Sequence, residues 1–157
     1  METREYRYTY EVYRSLDELS AEDRELADAA ISALAGSYAP YSGFNVGAAL
    51  RLEDGTVVKG ANQENAAYPS GLCAERTAMF SAGAAYPDLA QRSIAVVASQ
   101  NGVLCASPAS PCGACRQVMA QYQTKAGKPM SVILVGGETI YKFARVDDLL
   151  PFIFDNI

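Results

Sequence analysis

Two short apolar runs limit what this chain can fold into. Ile94–Ala98 and Ser131–Val135 are too short to be helices and too continuously apolar to be strands with one wet face. Runs of this kind read as strands covered on both sides, the usual condition of parallel strands packed between helices. Helix-forming segments alternate with them. Ala74–Ala85 (AERTAMFSAGAA) stops before Pro87, and Cys112–Tyr122 follows a polar, proline-containing loop at 101–111. Upstream, Phe44–Leu52 and Thr56–Val58 flank Asp54-Gly55, a tight-turn pair that marks a hairpin. Ser20 offers an N-cap with Asp23 three residues on. Leu26, Ala29, Ala30, Ala33 and Leu34 then recur at helical spacing, with an end near Gly36. Val146–Leu150 reads as a last short helix before Pro151. A hairpin and then strand, helix, strand, helix, strand predict an α/β fold. The expected form is a three-layer α/β/α sandwich with a central mixed β-sheet, its parallel part made by βαβ crossovers.

At 157 residues, with no repeat and no flexible linker, residues 1–157 are expected to form one domain. A chain of that size buries roughly 70% of its unfolded surface, enough for a core without staples. Residues 1–20 precede the main pattern as an N-terminal extension. Within it Tyr6, Tyr8, Tyr10 and Val12 alternate with Arg7, Thr9 and Glu11, which is strand periodicity.

Composition enters through one absence. The chain has no histidine. Ser-His-Asp triads, Cys-His pairs and histidine-held zinc are therefore excluded. Proton transfer near neutral pH falls to Glu, Asp, Lys, Tyr, Cys or a metal, and any zinc must be held by cysteines or carboxylates. The net charge is −5, with no basic run, so a nucleic-acid polymer is not an expected partner. The charged start METREYRYTY is no secretory signal, and no apolar stretch is long enough to span a membrane. Four cysteines in a chain without a secretory signal point to metal binding or catalysis rather than disulfides, and to a cytoplasmic protein.

Those cysteines fall into two groups and a remainder. Cys73-Ala74-Glu75-Arg76 and Pro111-Cys112-Gly113-Ala114-Cys115 each sit where a helix is expected to begin. Helix N-termini favour thiolates, and thiolates are what zinc binds. Three sulfurs, from Cys73, Cys112 and Cys115, leave a tetrahedral zinc one open position, as in catalytic rather than structural sites. Cys105 is the one cysteine able to close such a site, and its alternative reading is a free or partly buried thiol. Glu75 beside an open zinc position can carry protons, or it can be a surface acid favoured by the helix dipole. Arg76 can withdraw charge from the sulfurs, or it can be a solvated helix residue. Cys112-Gly113-Ala114-Cys115 alone also permits a dithiol redox site, which leaves Cys73 and Glu75 without a role.

Further motifs join these: Tyr38-Ala39-Pro40-Tyr41-Ser42, Phe44-Asn45-Val46-Gly47-Ala48-Ala49-Leu50, Asn62-Gln63-Glu64-Asn65 and Pro111-Cys112-Gly113-Ala114-Cys115-Arg116-Gln117. With Cys73-Ala74-Glu75-Arg76, and from about Tyr38 to Phe154, the sequence resembles the cytidine deaminase family, in its small tetrameric type with an all-cysteine zinc site. The resemblance implies one zinc per subunit on Cys73, Cys112 and Cys115, with Glu75 as the catalytic proton carrier and Arg76 behind the ligands. It implies that Phe44 stacks on a pyrimidine, that Asn62 and Glu64 bind ribose hydroxyls, and that backbone near Ala74 and Ser110 reads the base edge. It further implies a homotetramer whose neighbours complete each site through Tyr68 and Phe154. The expected activity is deamination of cytidine and 2′-deoxycytidine in pyrimidine salvage. The rival functions are a structural zinc module with a closed four-sulfur site and a dithiol oxidoreductase.

Overall fold

A computed structural model describes residues 1–155. Its strands are β1 (Glu11–Tyr13), β2 (Phe44–Leu52), β3 (Val57–Ala61), β4 (Gln91–Gln100), β5 (Val103–Leu104), β6 (Ser131–Val135) and β7 (Ile140–Phe143). The α-helices are α1 (Ala21–Ala33), α2 (Ala74–Ala85) and α3 (Gly113–Ala126). One sheet runs in the order β1-β7-β6-β4-β2-β3, and β5 pairs with β4 at its end. The β4–β6 pair is parallel and the remaining pairs are antiparallel, which makes the mixed sheet expected.

Strand periodicity sorts the core into two layers. Ala49, Ala95, Val97, Ile133 and Val135 pack with Leu26, Ala27 and Ala30 of α1. Ala48, Leu50, Ile94, Val96, Val132 and Leu134 face the opposite way, toward Ala78, Met79, Met119 and Ala120 of α2 and α3. The sandwich therefore has three layers. Ser20 caps α1 as expected, its side-chain oxygen accepting the Asp23 N–H at 3.2 Å.

Glycines allow the helices to lie close to the sheet. A Cβ on Gly47 would lie 2.3 Å from the Ala30 carbonyl oxygen of α1. One on Gly60 would lie 2.4 Å from the Ala78 nitrogen and 2.5 Å from the Ala74 oxygen of α2. Both crossover helices then begin at the same end of the sheet. α2 follows β3 and α3 follows β4, and these strands run parallel on either side of β2, to which both are antiparallel. Helices that return across a sheet start at the carboxyl ends of the strands they follow, so the starts of α2 and α3 meet there.

Several elements differ from the sequence reading. β7 was not expected. It is the second arm of a hairpin turned at Gly136-Gly137, closed by the Gly136 N–H on the Thr139 carbonyl at 2.9 Å. The alternation at 5–13 yields a strand only over Glu11–Tyr13. Its partner β7 supplies Ile140 to Lys142 in register and ends one residue later at Phe143, so residues upstream of Tyr10 have no edge to pair with. The loop at 101–111 contains the short β5, α3 runs on to Ala126, and the final helix is a single turn at Val146–Asp148.

Candidate metal centre and cleft

Cys73 and Cys112 occupy the N-cap positions of α2 and α3, with extended backbone, and Cys115 lies in the first turn of α3. Neither N-cap side chain satisfies a helical N–H, so each sulfur sits at the positive end of a helix with its lone pairs uncommitted to capping. The Cys73 and Cys112 sulfurs are 3.8 Å apart, and those of Cys112 and Cys115 are 3.5 Å apart. All three sulfurs fall within 4.8 Å of one another. Thiolates about 2.3 Å from a tetrahedral zinc lie about 3.8 Å from each other, so this donor set fits that ion. Among the described residues Cys105 is not part of the cluster. It sits on the β5 side, where its N–H donates to the Ala98 carbonyl and its own carbonyl accepts from Gly137. These residues therefore form a three-sulfur site, and the closed four-sulfur arrangement is not what they build.

Charge inside the cluster is unevenly shared. Contact with the Cys115 sulfur, which lies within 4.8 Å, pulls the Cys73 thiol down to about 5, with Arg76 and Cys112 adding to it and burial opposing. The same contact, with burial and the nearby Glu75, pushes Cys115 up. Without a metal, the cluster's negative charge is thus drawn toward Cys73 and its proton toward Cys115. Arg76 donates from Nη2 to the Cys73 sulfur at 3.5 Å. Its own ionisation is held firmly by that contact first, and then by Cys115. Its Nε is buried with no partner. Arg76 is therefore directed at the Cys73 sulfur rather than at solvent. Glu75 is only 4% exposed, and burial raises its carboxyl above the ordinary range.

A cleft of about 500 Å³ opens over this cluster. Phe44, Asn62, Glu64, Tyr68, Cys73, Glu75, Arg76, Ser110 and Cys112 all line it. Most of the residues singled out in the sequence are thus brought together. Two are not. Ala74 is fully buried at the start of α2, and Phe154 stands outside the cleft of its own chain, 68% exposed. Tyr68 lines the cleft but is 85% exposed.

Asn62 and Glu64 are more committed than a solvated loop would be. Asn62 Oδ1 accepts the Val46 N–H at 2.8 Å and the Ser37 hydroxyl, while its amide donates to the Phe44 carbonyl at 2.9 Å. Its acceptor capacity is filled, and one N–H remains. The Glu64 carboxylate accepts from the Ser42 hydroxyl and from the N–H groups of Tyr41 at 2.9 Å and Ser42 at 3.3 Å. Those bonds, the Ser42 hydroxyl first, lower its pKa and keep it an acceptor. These partners lie 16 to 25 residues away in sequence, which is why local spacing did not reveal them.

Three cysteine sulfurs at two helix starts, a buried carboxylate and a nucleoside-sized cleft define a class: a zinc protein built to move protons at a small bound molecule. Residues 20–128 match the family described as the cytidine and deoxycytidylate deaminase zinc-binding region, and the chain belongs to that family. The chain is 52% identical over 101 residues to a cytidine deaminase of Halalkalibacterium halodurans, covering 63% of this chain and 71% of that one. It is 45% identical over 120 residues to a cytidine deaminase of Sporosarcina psychrophila, covering 76% and 82%. Among solved structures, the cytidine deaminase of Burkholderia pseudomallei is similar at 45% identity and a TM-score of 0.68, covering 83% of this chain and 97% of that one. The cytidine deaminase of Mycobacterium tuberculosis matches at 31% identity with the same TM-score, covering 87% and 100%.

Proposed function

We propose that this chain catalyses the hydrolytic deamination of cytidine and 2′-deoxycytidine to uridine and 2′-deoxyuridine, with release of ammonia, as a step in pyrimidine salvage. The observation that carries this reading is Glu75: a carboxylate 4% exposed, lining the cleft beside three converging thiols. A zinc ion held by Cys73, Cys112 and Cys115 supplies the Lewis acid that makes water a nucleophile near neutral pH. Glu75 accepts a proton from the water that adds to C4 and passes it to ring N3. It then takes the second proton from the hydroxyl newly added at C4 and delivers it to the amino nitrogen, so that the C4–N bond breaks as the C4 carbonyl forms and ammonia leaves. Burial suits it to both tasks, because a raised carboxyl pKa makes it a better base when ionised and keeps the proton available for return. No histidine is needed.

The other roles follow from donor and acceptor counts. Asn62, with its acceptors filled, donates its remaining N–H to a ribose oxygen, and Glu64 accepts from a ribose hydroxyl. Phe44 lies against the pyrimidine face, and backbone near Ala74 and Ser110 reads the base edge. Arg76 draws charge from the sulfurs, supported by its contact with Cys73. The active form is a homotetramer in which Tyr68 and Phe154 complete neighbouring sites, a reading supported by their exposure. Net charge −5 argues against a polynucleotide substrate. Among the described residues no helix is long and apolar enough to cross a membrane. A cytoplasmic setting accords with four free thiols.

The test is direct. Purified protein is mixed with cytidine or 2′-deoxycytidine, and ultraviolet absorbance and ammonia are followed with and without a zinc chelator. Conversion that the chelator abolishes and added zinc restores is expected. Absence of conversion of either nucleoside by zinc-replete protein would sink the reading.

A further inference from the structure

Residues 149–155, beyond the last short helix, form no regular secondary structure, yet their backbone is held at two points. Arg116 donates from Nη1 to the Leu149 carbonyl at 2.9 Å. Gln117 makes a reciprocal pair with Phe154: its Nε2 donates to the Phe154 carbonyl at 2.8 Å, and its Oε1 accepts the Phe154 N–H at 3.0 Å. Ile153 turns inward and packs against the core, while Phe152 and Phe154 turn outward, 89% and 68% exposed. Exposed backbone groups are satisfied by water at no cost, so a side chain that grips both of them serves to fix position. The residue so gripped presents a large aromatic ring to solvent, the form an anchor takes before it meets a pocket.

We infer that Gln117 is a positioning residue that sets Phe154 for insertion into the cleft of a second copy of this chain, tying the helix that bears Cys112 and Cys115 to the neighbouring site. The inference rests on the tetramer reading above, in which Phe154 acts on a neighbour's site. Phe154 does not line its own cleft, whereas that cleft is open and has the exposed Tyr68 at its wall. Gln117 lies two positions beyond Cys115 on α3 and does not line the cleft, so its influence on substrate passes through the tail.

The experiment compares Gln117→Leu, Phe154→Ala and the double variant as zinc-loaded proteins, measuring kcat and KM for cytidine, zinc content and oligomeric state. Losing both bonds is expected to raise KM about tenfold, with kcat within about twofold and zinc retained. Adding Gln117→Leu to Phe154→Ala is expected to change KM no further, since the two act as one unit. Three results overturn the inference. If Phe154→Ala raises KM and Gln117→Leu does not, Gln117 is idle while the tetramer reading stands. If the Gln117→Leu effect persists undiminished beside Phe154→Ala, it acts through α3 itself. If Phe154→Ala is silent, the tetramer reading fails and takes the inference with it. Should Gln117→Leu fail to fold, Gln117→Glu keeps the acceptor and loses the donor. A rise in KM of about threefold is then expected, and a fall in kcat at unchanged KM counts against the inference.

Discussion

Gly47 lets α1 settle onto one face of the sheet, and Gly60 lets α2 settle onto the other. The packing device is the same, but its surroundings are not. α1 brings Leu26, Ala27 and Ala30 to its face, where the buried cluster is aliphatic apart from the partly buried Tyr13 at its margin. α2 brings Ala78, Met79 and Ala82, and its first turn also carries Cys73 at the cap and Glu75. The comparison teaches that closeness to the sheet fixes a helix, whereas chemistry depends on which end of the helix meets its neighbour. α2 and α3 start together, so their N-termini concentrate positive potential on three sulfurs. α1 starts alone, and its cap is an ordinary serine.

The sharpest break of that comparison is at Glu75. Glu75→Gln keeps the shape of the side chain and removes its capacity to take a proton. Activity is expected to fall by roughly 10²–10⁴, with zinc content and melting temperature close to those of the parent. Near-normal turnover would return Glu75 to the role of a buried helix residue and leave the α2 face as inert as the α1 face.

The two glycines test the packing side. Either one replaced by alanine places a methyl group against helix backbone, an overpacking that costs about 1–3 kcal/mol. The consequences should differ. Gly60→Ala pushes against the Ala74 carbonyl, one residue from Cys73, and is expected to lower zinc content and turnover together. Gly47→Ala is expected to lower the melting temperature while each folded molecule still carries one zinc and normal kcat. Equal loss of zinc in both variants, measured by elemental analysis on folded protein, would show that the faces are not independent.

How much of this was legible beforehand follows the same division. Cys73, Glu75, Cys112 and Cys115 were readable because each belongs to a short motif at a helix start, and local spacing carries that information. α2 begins and ends at the expected residues for the same reason. Asn62 was readable as a site residue but not as a clamp, since its partners Ser37, Phe44 and Val46 come from other segments. β7 was missed because Ile140-Tyr141-Lys142-Phe143 is four residues long with a charge inside it. Only pairing with β6 on one side and β1 on the other makes it a strand. Gln117 stood within a quoted motif but drew no role, since nothing local points to a residue 37 positions away.

A smaller effect separates the sulfurs themselves. With zinc removed, Cys73 should be the reactive member, its thiol held near 5 by Cys115 and Arg76, while Cys115 stays protonated. The thiolate is present above that value and lost as pH falls through it. Alkylation of metal-free protein at pH 6 and 7 is therefore expected to label Cys73 ahead of Cys105, and labelling should drop as pH is taken below 5. Zinc should protect Cys73 at every pH tested. Preferential labelling of Cys105 by peptide mapping would contradict this division of charge.

The smallest effect concerns the N-terminal arm. Tyr10 packs against Tyr141 edge-on and Phe143 face-on, each at 5.2 Å between ring centres, and Tyr6 donates its hydroxyl to the Asp147 carbonyl at 2.6 Å. Tyr141 and Phe143 belong to the core on the α2 and α3 side, so the arm lies on the face that carries the chemistry. It attaches at the β7 edge, however, and no arm residue lines the cleft. If position at the helix starts is what matters, loss of the arm's main contact should cost stability alone. Tyr10→Ala is expected to lower unfolding free energy by about 1–2 kcal/mol, an aromatic contact of 0.5–1.5 kcal/mol plus partial burial, with kcat, KM and zinc content unchanged. A rise in KM without loss of stability would place the arm within reach of a site, and the contrast between the two faces would then need to include it.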